Sequence, residues 1–163
     1  MKLIGQLRDQ LRDSLRRLFG RAVRAPAMRE YSLSCHGPHG AHKMAYVEWG
    51  DPANTNVLFC VHGLTRNGRD FDFLAEAMLD RYRVICADVA GRGRSNWLTH
   101  AQDYGFPLYV AHMRALMAHV GAETVDWVGT SMGGLIGMLI ASQTPKAIRR
   151  LVLNDVGPVL TAQ

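Results

Sequence analysis

A serine between glycines is the residue of this sequence best suited to chemistry. The stretch Gly129-Thr130-Ser131-Met132-Gly133 matches the pattern G-x-S-x-G, and Gly134 follows it. A strand-like run precedes the stretch and a helix-like run follows, so the chain must turn sharply at Ser131, where side chains at the glycines would collide. Such a turn exposes the serine hydroxyl, and the first amides of the helix point at any oxyanion that forms there. We therefore predict Ser131 as a nucleophile and the Met132 N–H as an oxyanion donor.

A histidine and a glycine follow a second apolar run further upstream. Val57–Val61 is continuously apolar, as is typical of a parallel strand buried on both faces, and His62-Gly63-Leu64 comes directly after it. Taken alone, a His-Gly pair after a strand indicates an ordinary turn. Its position two elements upstream of Ser131 makes it a candidate for the second half of an oxyanion site.

A third loop, Asp88–Ser95, follows the apolar run Arg83–Ala87. Gly91 and Gly93 permit a tight turn, and the Asp88 carboxylate can accept hydrogen bonds from loop amides. The third glycine of the dinucleotide-binding pattern G-x-G-x-x-G is absent, which excludes that kind of site, and no cofactor is expected. We interpret this loop as architectural, with no catalytic role.

In this order, the three segments resemble the α/β-hydrolase superfamily, in the branch that contains meta-cleavage-product hydrolases, haloalkane dehalogenases and proline iminopeptidases. The resemblance covers about residues 29–158. It implies that the Leu64 N–H joins the Met132 N–H at the substrate carbonyl oxygen. Dehalogenases and epoxide hydrolases of the branch carry aspartate where this sequence has Ser131, so the resemblance implies acyl transfer through a covalent serine intermediate instead.

The acid and the base of the implied catalytic triad are harder to place. The family order is nucleophile, acid, histidine, and no histidine follows Ser131 in this sequence. Asp155 follows the sixth predicted strand, where some members carry the acid, but the glycine and proline beside it support a plain turn equally well. The family core usually has eight strands, so we expect a chain truncated after the sixth strand, without its cap, last strands and catalytic histidine. Such a chain would be inactive or impaired as a hydrolase.

The other histidines suggest no further site. His62 belongs to the oxyanion loop and is not expected to face Ser131 as a base. Three histidines at three-residue spacing lack the second cluster that a zinc site needs, so a solvated loop is the favoured interpretation and no metal is expected. Three more are interpreted as surface or half-buried side chains. The first group is His36, His39 and His42, and the second is His100, His112 and His119.

Strands and helices alternate around these segments and predict an α/β fold with a mostly parallel sheet. The predicted strands are Tyr31–Cys35, Met44–Trp49, Val57–Val61, Arg83–Ala87, Val125–Val128 and Arg150–Asn154. The predicted helices are Asp70–Asp80, Pro107–Val120 and Met132–Gln143. The loop His36–His42, which contains glycine and proline, joins the first two strands.

The amino-terminal segment is of a different kind. Lys2–Val23 is amphipathic at helical spacing, with leucines on one face and arginines on the others. Three interpretations stay open: the helix lies on an anionic membrane surface, it packs on a protein partner or on the domain, or it is an artefact of start-site choice, since Met28 could also begin the chain. We therefore divide the chain into a basic amphipathic helix, residues 1–27, and the amino-terminal part of a hydrolase domain, residues 28–163.

Composition narrows the function classes. The 163 residues are 48% apolar and 20% charged, which excludes a wholly disordered chain. The net charge is +5, but residues 1–29 hold eight basic and two acidic side chains, so the remainder is close to neutral and nucleic-acid binding is not expected. Three scattered cysteines imply no disulfide framework and favour a reducing, cytoplasmic compartment.

The leading hypothesis is a serine hydrolase that cleaves a carboxylic ester, a thioester or an activated C–C bond of a small-molecule substrate. The alternative is a non-catalytic scaffold of the same fold that docks on a membrane or a protein partner through residues 1–23. The identity of the substrate and the oligomeric state stay open.

Overall fold

The structure, a computed structural model, describes residues 28–157. The predicted helix Lys2–Val23 lies outside these residues. Within them, six strands form one sheet and three α-helices flank it. The strands are β1 (Arg29–Gly37), β2 (Gly40–Trp49), β3 (Val57–Val61), β4 (Arg83–Ala87), β5 (Val125–Thr130) and β6 (Ile148–Asn154). The helices are α1 (Asp72–Met78), α2 (Phe106–His119) and α3 (Met132–Gln143).

The strands lie in the order β1-β2-β4-β3-β5-β6. Four of them, β4, β3, β5 and β6, are mutually parallel, and β1 and β2 extend the sheet as an antiparallel hairpin. The chain leaves β3 toward β4 on one side and leaves β5 toward β6 on the other. The neighbouring strands β3 and β5 therefore form a topological switch point, and the crevice at their carboxyl ends is where α/β sheets bind ligands.

Alternate residues of the central strands pack on opposite faces of the sheet. Val57, Phe59 and Val61 of β3 belong to a core cluster with α2 and α3, whereas Leu58 and Cys60 pack on the opposite face, against α1 and the turn that precedes it. Because both faces are covered, the whole of β3 is buried, which is why it is apolar without alternation.

The sequence predicted the central elements more accurately than the peripheral ones. The bounds of β3, β4 and α3 are as predicted. The predicted loop His36–His42 is wrong in its extent, because β1 and β2 stay paired as far as Gly37 and Gly40 and leave a two-residue turn. Gly40 has a φ of 121°, a conformation that glycine adopts without steric cost.

The helix predicted over Asp70–Asp80 is shorter than expected. It begins as a 3₁₀ turn, Gly68–Phe71, in which the Asn67 side chain caps the first turn by accepting a hydrogen bond from the Arg69 amide. The α-helix proper ends at Met78. Within residues 28–157, none of the helices is both long enough and apolar enough to cross a bilayer.

Candidate active site

The turn between β5 and α3 holds Ser131 in a strained backbone conformation. Its φ is 49° and its ψ is −113°, a combination that residues with side chains rarely adopt. The Ser131 amide donates to the Asn154 carbonyl at 2.8 Å, and the Ser131 carbonyl accepts from the amides of Gly134 and Leu135. These backbone bonds offset the strain and hold the serine at the carboxyl end of β5.

The glycines around Ser131 are required by close backbone packing. A Cβ atom at Gly129 would lie 2.4 Å from the Gly133 carbonyl, and one at Gly133 would lie 2.0 Å from the Val61 carbonyl oxygen at the end of β3. No side chain fits at such distances. The predicted collision at the glycines of the elbow is therefore confirmed, and α3 can begin directly against the end of β3.

A buried tryptophan also fixes the start of α3. The Trp127 indole N–H donates to the Gly133 carbonyl at 3.0 Å, and its ring stacks on Phe59 with centroids 5.8 Å apart. This role was not predicted from the sequence. A large aromatic residue four positions before the nucleophile, inside a strand, was the available signal.

The loop His62–Leu64, which the sequence predicts as the oxyanion loop, lies beside the serine. A Cβ atom at Gly63 would be 3.6 Å from the Ser131 Cβ, an ordinary van der Waals distance, so the loop after β3 and the elbow are neighbours. The Leu64 amide donates to no backbone acceptor among the described residues, and Met132, at the first position of α3, has no acceptor within its helix. Both predicted oxyanion amides are thus without a backbone acceptor among the described residues.

The Ser131 hydroxyl is half-buried, and no hydrogen-bond partner for it is found among residues 28–157. In particular, none of the described histidines hydrogen bonds to it. This leaves the hydroxyl available to a substrate or to a base that the described residues do not supply.

The geometry of His62 explains why it is not that base. Its Nε2 lies 3.0 Å from the Val89 amide, which can only donate, and its Nδ1 lies 2.7 Å from the Gly63 carbonyl, which can only accept. The ring must therefore be the neutral tautomer with its proton on Nδ1. Burial lowers its pKa, and both nitrogens are occupied by backbone, as expected for a residue that shapes the loop.

Asp88 accepts amide hydrogen bonds from two loops, which confirms the prediction made for it. Its Oδ1 accepts from the Gly68 amide at 2.7 Å and its Oδ2 from the Arg94 amide at 2.8 Å. A Cβ atom at Gly93 would lie 2.2 Å from the carboxylate, so the loop can close around Asp88 only with glycine there. Asp88 thus ties the loop after β4 to the segment after the oxyanion loop.

Asp155 stays a prediction. It follows β6, is exposed, and has a φ of 57°. Among the described residues it has no hydrogen-bond or ion-pair partner, so its backbone conformation fits a turn and its carboxylate is oriented by no neighbour.

The histidines away from Ser131 form pairs that the sequence did not indicate. His42 and His112 have their Nε2 atoms 3.0 Å apart, and His39 Nδ1 lies 2.8 Å from Asp103 Oδ2. The interpretation of His112 as a surface or half-buried residue is wrong, because it is only 2% exposed. Its place on the inner face of α2, opposite β2, buries it. Within the described chain, no three histidine, cysteine, aspartate or glutamate side chains are placed to hold a metal ion.

The sequence of this chain is similar to those of known hydrolases. A sequence model for the alpha/beta hydrolase fold matches residues 56–162. The 3-hydroxybutyrate-oligomer hydrolase of Cupriavidus necator is 59% identical over 128 residues, which cover 78% of this chain and 44% of that protein. An sn-1-specific diacylglycerol lipase of Mus musculus is 34% identical over 114 residues, which cover 69% of this chain and 36% of that protein.

A solved structure agrees with the sequence matches. The crystal structure of a putative hydrolase from Rickettsia typhi superimposes with a TM-score of 0.74 and 34% identity, over 80% of this chain and 48% of that one. The chain spans less than half the length of each of these three proteins.

Proposed function

Because this chain belongs to the α/β-hydrolase fold family, we propose that it is a serine hydrolase. It cleaves a carboxylic ester; a thioester or an activated C–C bond could be cleaved by the same chemistry. The Ser131 oxygen attacks the carbonyl carbon while a base takes the hydroxyl proton, and the ester C–O bond breaks so that the alcohol leaves with that proton. Water then hydrolyses the acyl-serine intermediate, which releases the acid and restores the serine. The amides of Leu64 and Met132 donate to the oxygen that becomes negatively charged during the attack.

The observation that carries the proposal is the strained serine next to the oxyanion loop. A φ of 49° at a residue with a side chain is retained only where the surroundings enforce it, and such strain concentrates at functional sites. The close approach of Gly63 to Ser131 supports the proposal that the Leu64 and Met132 amides flank the hydroxyl. Loss of a single oxyanion donor typically lowers the rate by about a hundred- to a thousandfold, so this placement is a large part of the chemistry.

The proposal needs a general base, and the described residues do not supply one. His62 is excluded because both of its ring nitrogens are bound to backbone. Asp155 is proposed as the acid that orients the base, on its position after β6. An activity measurement on the complete natural gene product is therefore the decisive test of the whole mechanism.

An oligoester of 3-hydroxybutyrate is the substrate to test first. The relative from Cupriavidus necator carries that substrate in its name and shares 59% identity over most of this chain. The diacylglycerol lipase is also named for ester cleavage. Both names indicate carboxylic esters of small molecules, and we propose that class of substrate for this protein.

We propose a cytoplasmic location because the cysteines form no disulfide bond. Cys35, Cys60 and Cys86 are all free and buried, and they act as small apolar side chains. A reducing compartment is compatible with three unpaired thiols in one small core.

Labelling with a fluorophosphonate tests the serine assignment. The complete natural gene product, its Ser131→Ala variant and a Ser142→Ala control are treated with the probe and compared by intact mass. Ser142 is a serine of α3 that hydrogen bonds to the Leu139 carbonyl on the exposed side of the helix, so its loss removes a hydroxyl without touching the crevice. We expect one adduct on the parent protein and on the control, and none on Ser131→Ala.

Equal labelling of the parent protein and Ser131→Ala would overturn the assignment. If a folded parent protein takes up no probe and hydrolyses no ester, the function is instead that of a non-catalytic scaffold.

A further inference from the structure

We propose that Arg92 is a positioning residue that fixes the oxyanion loop by holding the Leu64 carbonyl. The inference rests on the proposed hydrolase function, and it assigns to the loop after β4 a part in catalysis that the sequence did not indicate. Arg92 acts through the backbone of the oxyanion loop and touches no reacting atom.

The side chain of Arg92 bridges two loops. Its Nε donates to the Leu64 carbonyl at 3.0 Å, and its Nη1 donates to the Ala90 carbonyl at 2.8 Å and to the Tyr109 hydroxyl at 3.0 Å. One end of the guanidinium is thus anchored in its own loop and on α2, while the other end reaches the oxyanion loop. A planar group with several donors in fixed directions suits such a bridge.

Aromatic rings keep the guanidinium in place. Its central carbon lies 5.7 Å from the centroid of the Tyr104 ring and 5.4 Å from that of Tyr109. Among the described residues no carboxylate forms an ion pair with Arg92, and its partners are neutral oxygens and rings. Its contacts therefore define a position for the guanidinium, which an exposed surface ion pair would not do.

The part of the oxyanion loop that Arg92 contacts has few other restraints. The His62 ring fixes the start of the loop through the Val89 amide, and Asp88 fixes the segment after the loop through the Gly68 amide. The Gly63 carbonyl accepts from the His62 Nδ1–H at 2.7 Å and from the Arg66 amide at 3.2 Å, whereas the Leu64 carbonyl accepts only from Arg92 among the described residues. Leu64 itself is 59% exposed, so its side chain does not anchor it.

The consequence for catalysis follows from the chain geometry. Holding the Leu64 carbonyl fixes the torsion on one side of the Leu64 Cα, and the proposed donor is the amide on the other side. The peptide plane that carries the Leu64 N–H is held through the Gly63 carbonyl, and Arg92 holds the next plane through the Leu64 carbonyl. Without Arg92 only the first of these planes is held, so the loop can shift and the N–H is less precisely oriented toward the oxyanion. An oxyanion donor contributes to rate because it is oriented before the reaction, so the loss falls on kcat and leaves ground-state binding nearly unchanged.

The first test compares Arg92→Ala, Arg92→Lys and Arg94→Ala in the complete natural gene product. Arg94 lies two residues away in the same loop, pairs with Glu30 on the surface and serves as the matched control. For ester hydrolysis we expect kcat of Arg92→Ala to fall by about ten- to a hundredfold, with KM changed by less than about twofold. Arg92→Lys keeps the charge but not the planar fork and falls similarly, whereas Arg94→Ala matches the parent protein. Added guanidinium ion, at a concentration too low to denature, restores part of the activity of Arg92→Ala.

A second measurement is independent of activity. Amide hydrogen exchange of the segment from His62 to Asn67 is expected to rise at least about tenfold in Arg92→Ala and to stay unchanged in Arg94→Ala, with β3 equally protected in both. Exchange in the two arginine variants is also compared in proteins that carry Ser131→Ala. There the result does not depend on which residue is the nucleophile.

The outcomes separate this inference from the function on which it rests. Unchanged exchange in Arg92→Ala, or a raised KM with kcat preserved, would overturn the positioning role; the second result would mean that Arg92 binds the substrate. If amide exchange rises in Arg92→Ala but the Ser131→Ala variant still reacts with the fluorophosphonate, the contact between Arg92 and the loop is supported and the assignment of Ser131 as nucleophile is wrong.

Discussion

The two edges of the parallel sheet use their polar groups in opposite ways. At the carboxyl edge of β3 and β5, the Ser131 hydroxyl and the Leu64 amide have no hydrogen-bond partner among the described residues, and Ser131 is strained. At the amino edge, the buried Asp126 at the start of β5 is bound by three side chains. Arg149 donates to both of its oxygens at 2.9 Å, and Arg150 and Tyr82 donate to Oδ2.

Glu48 repeats the pattern of the amino edge. It is 2% exposed, and its two oxygens accept from Arg29 at 3.0 Å and from Arg83 at 2.7 Å. Buried charges of this kind are tolerated because they are paired. The comparison shows that polar groups at one edge have no partner among the described residues, whereas those at the other edge pair with one another and stabilise the strands. The unpaired edge is the one at which we propose that the substrate binds.

The largest effect is expected from adding a methyl group at the elbow, where α3 packs directly against the end of β3. Gly133→Ala places a methyl group 2.0 Å from the Val61 carbonyl oxygen, so the backbone of α3 must move away from β3. We expect a loss of about 3 kcal/mol or more in the free energy of unfolding, measured in urea, together with loss of fluorophosphonate labelling.

Gly121→Ala is the control for this substitution. Gly121 has a φ of 72° and open space around its Cβ position, so alanine there meets a torsional cost of about 1 kcal/mol and no collision. Labelling is expected to persist. If Gly133→Ala were no more destabilising than Gly121→Ala, the description of the carboxyl edge as a close-packed turn would be wrong.

Two buried groups, His112 of α2 and Asp126 of the amino edge, are also expected to respond to acid in different pH windows. Burial, with repulsion from His42, lowers the pKa of His112 to about 4. Because the unfolded chain binds this proton near pH 6.5 and the native state does not, stability falls as the pH drops from 6.5 to 4, by up to about 1.4 kcal/mol per pH unit. Urea unfolding of His112→Gln across this range is expected to show a shallower slope. The exposed His36→Gln is the control, and an equal change in both variants would contradict the assignment to His112.

Asp126 is expected to act at lower pH. Its hydrogen bonds from Arg149, and secondarily from Tyr82 and Arg150, lower its pKa to about 2. A carboxyl with a depressed pKa stabilises the native state above its unfolded pKa, near 4, and loses that stabilisation as the pH falls toward 2. Asp126→Asn is expected to lower the free energy of unfolding at pH 7 by about 1–2 kcal/mol, since the arginines are partly exposed and solvent screens the pairs. Fluorophosphonate labelling at Ser131 should be unaffected, and a slowed reaction would show that the edges are coupled.

The smallest effect is expected for Tyr82→Phe. This change removes the hydroxyl that donates to Asp126 at 2.8 Å and keeps the ring, so the expected loss is about 1 kcal/mol or less. In a double-mutant cycle with Asp126→Ala, the two losses should not add, because each substitution removes one partner of the same bond. Full additivity would mean that the hydroxyl does not stabilise Asp126.

The sequence predicted the fold around the candidate site better where the constraint is local. The strand–turn–helix at Ser131 and the buried strands β3 and β4 depend on a few neighbouring residues, and the structure has them as expected. Their signals are strong because few local structures besides a tight turn require glycine, and few besides a doubly covered strand require a short, continuously apolar run.

The contacts that the sequence did not reveal join residues far apart in the chain. Arg92 and Leu64 are 28 residues apart, and His42 and His112 are 70 apart. Nothing in the local pattern of either partner indicates the other, because such pairs form only when the sheet brings the elements together. The extra length of the β1–β2 hairpin was missed for a related reason, since its outer residues are polar and carry no burial signal.

The most direct test of the central claim is to trap the acyl intermediate on the complete natural gene product. The protein is mixed with an activated ester of 3-hydroxybutyrate, quenched in acid during turnover, digested and mapped by mass. We predict an acyl group on the peptide that contains Ser131, present at about one equivalent when deacylation is slow and absent from Ser131→Ala. Turnover with the acyl group on another residue, or undiminished turnover by Ser131→Ala, would contradict the account.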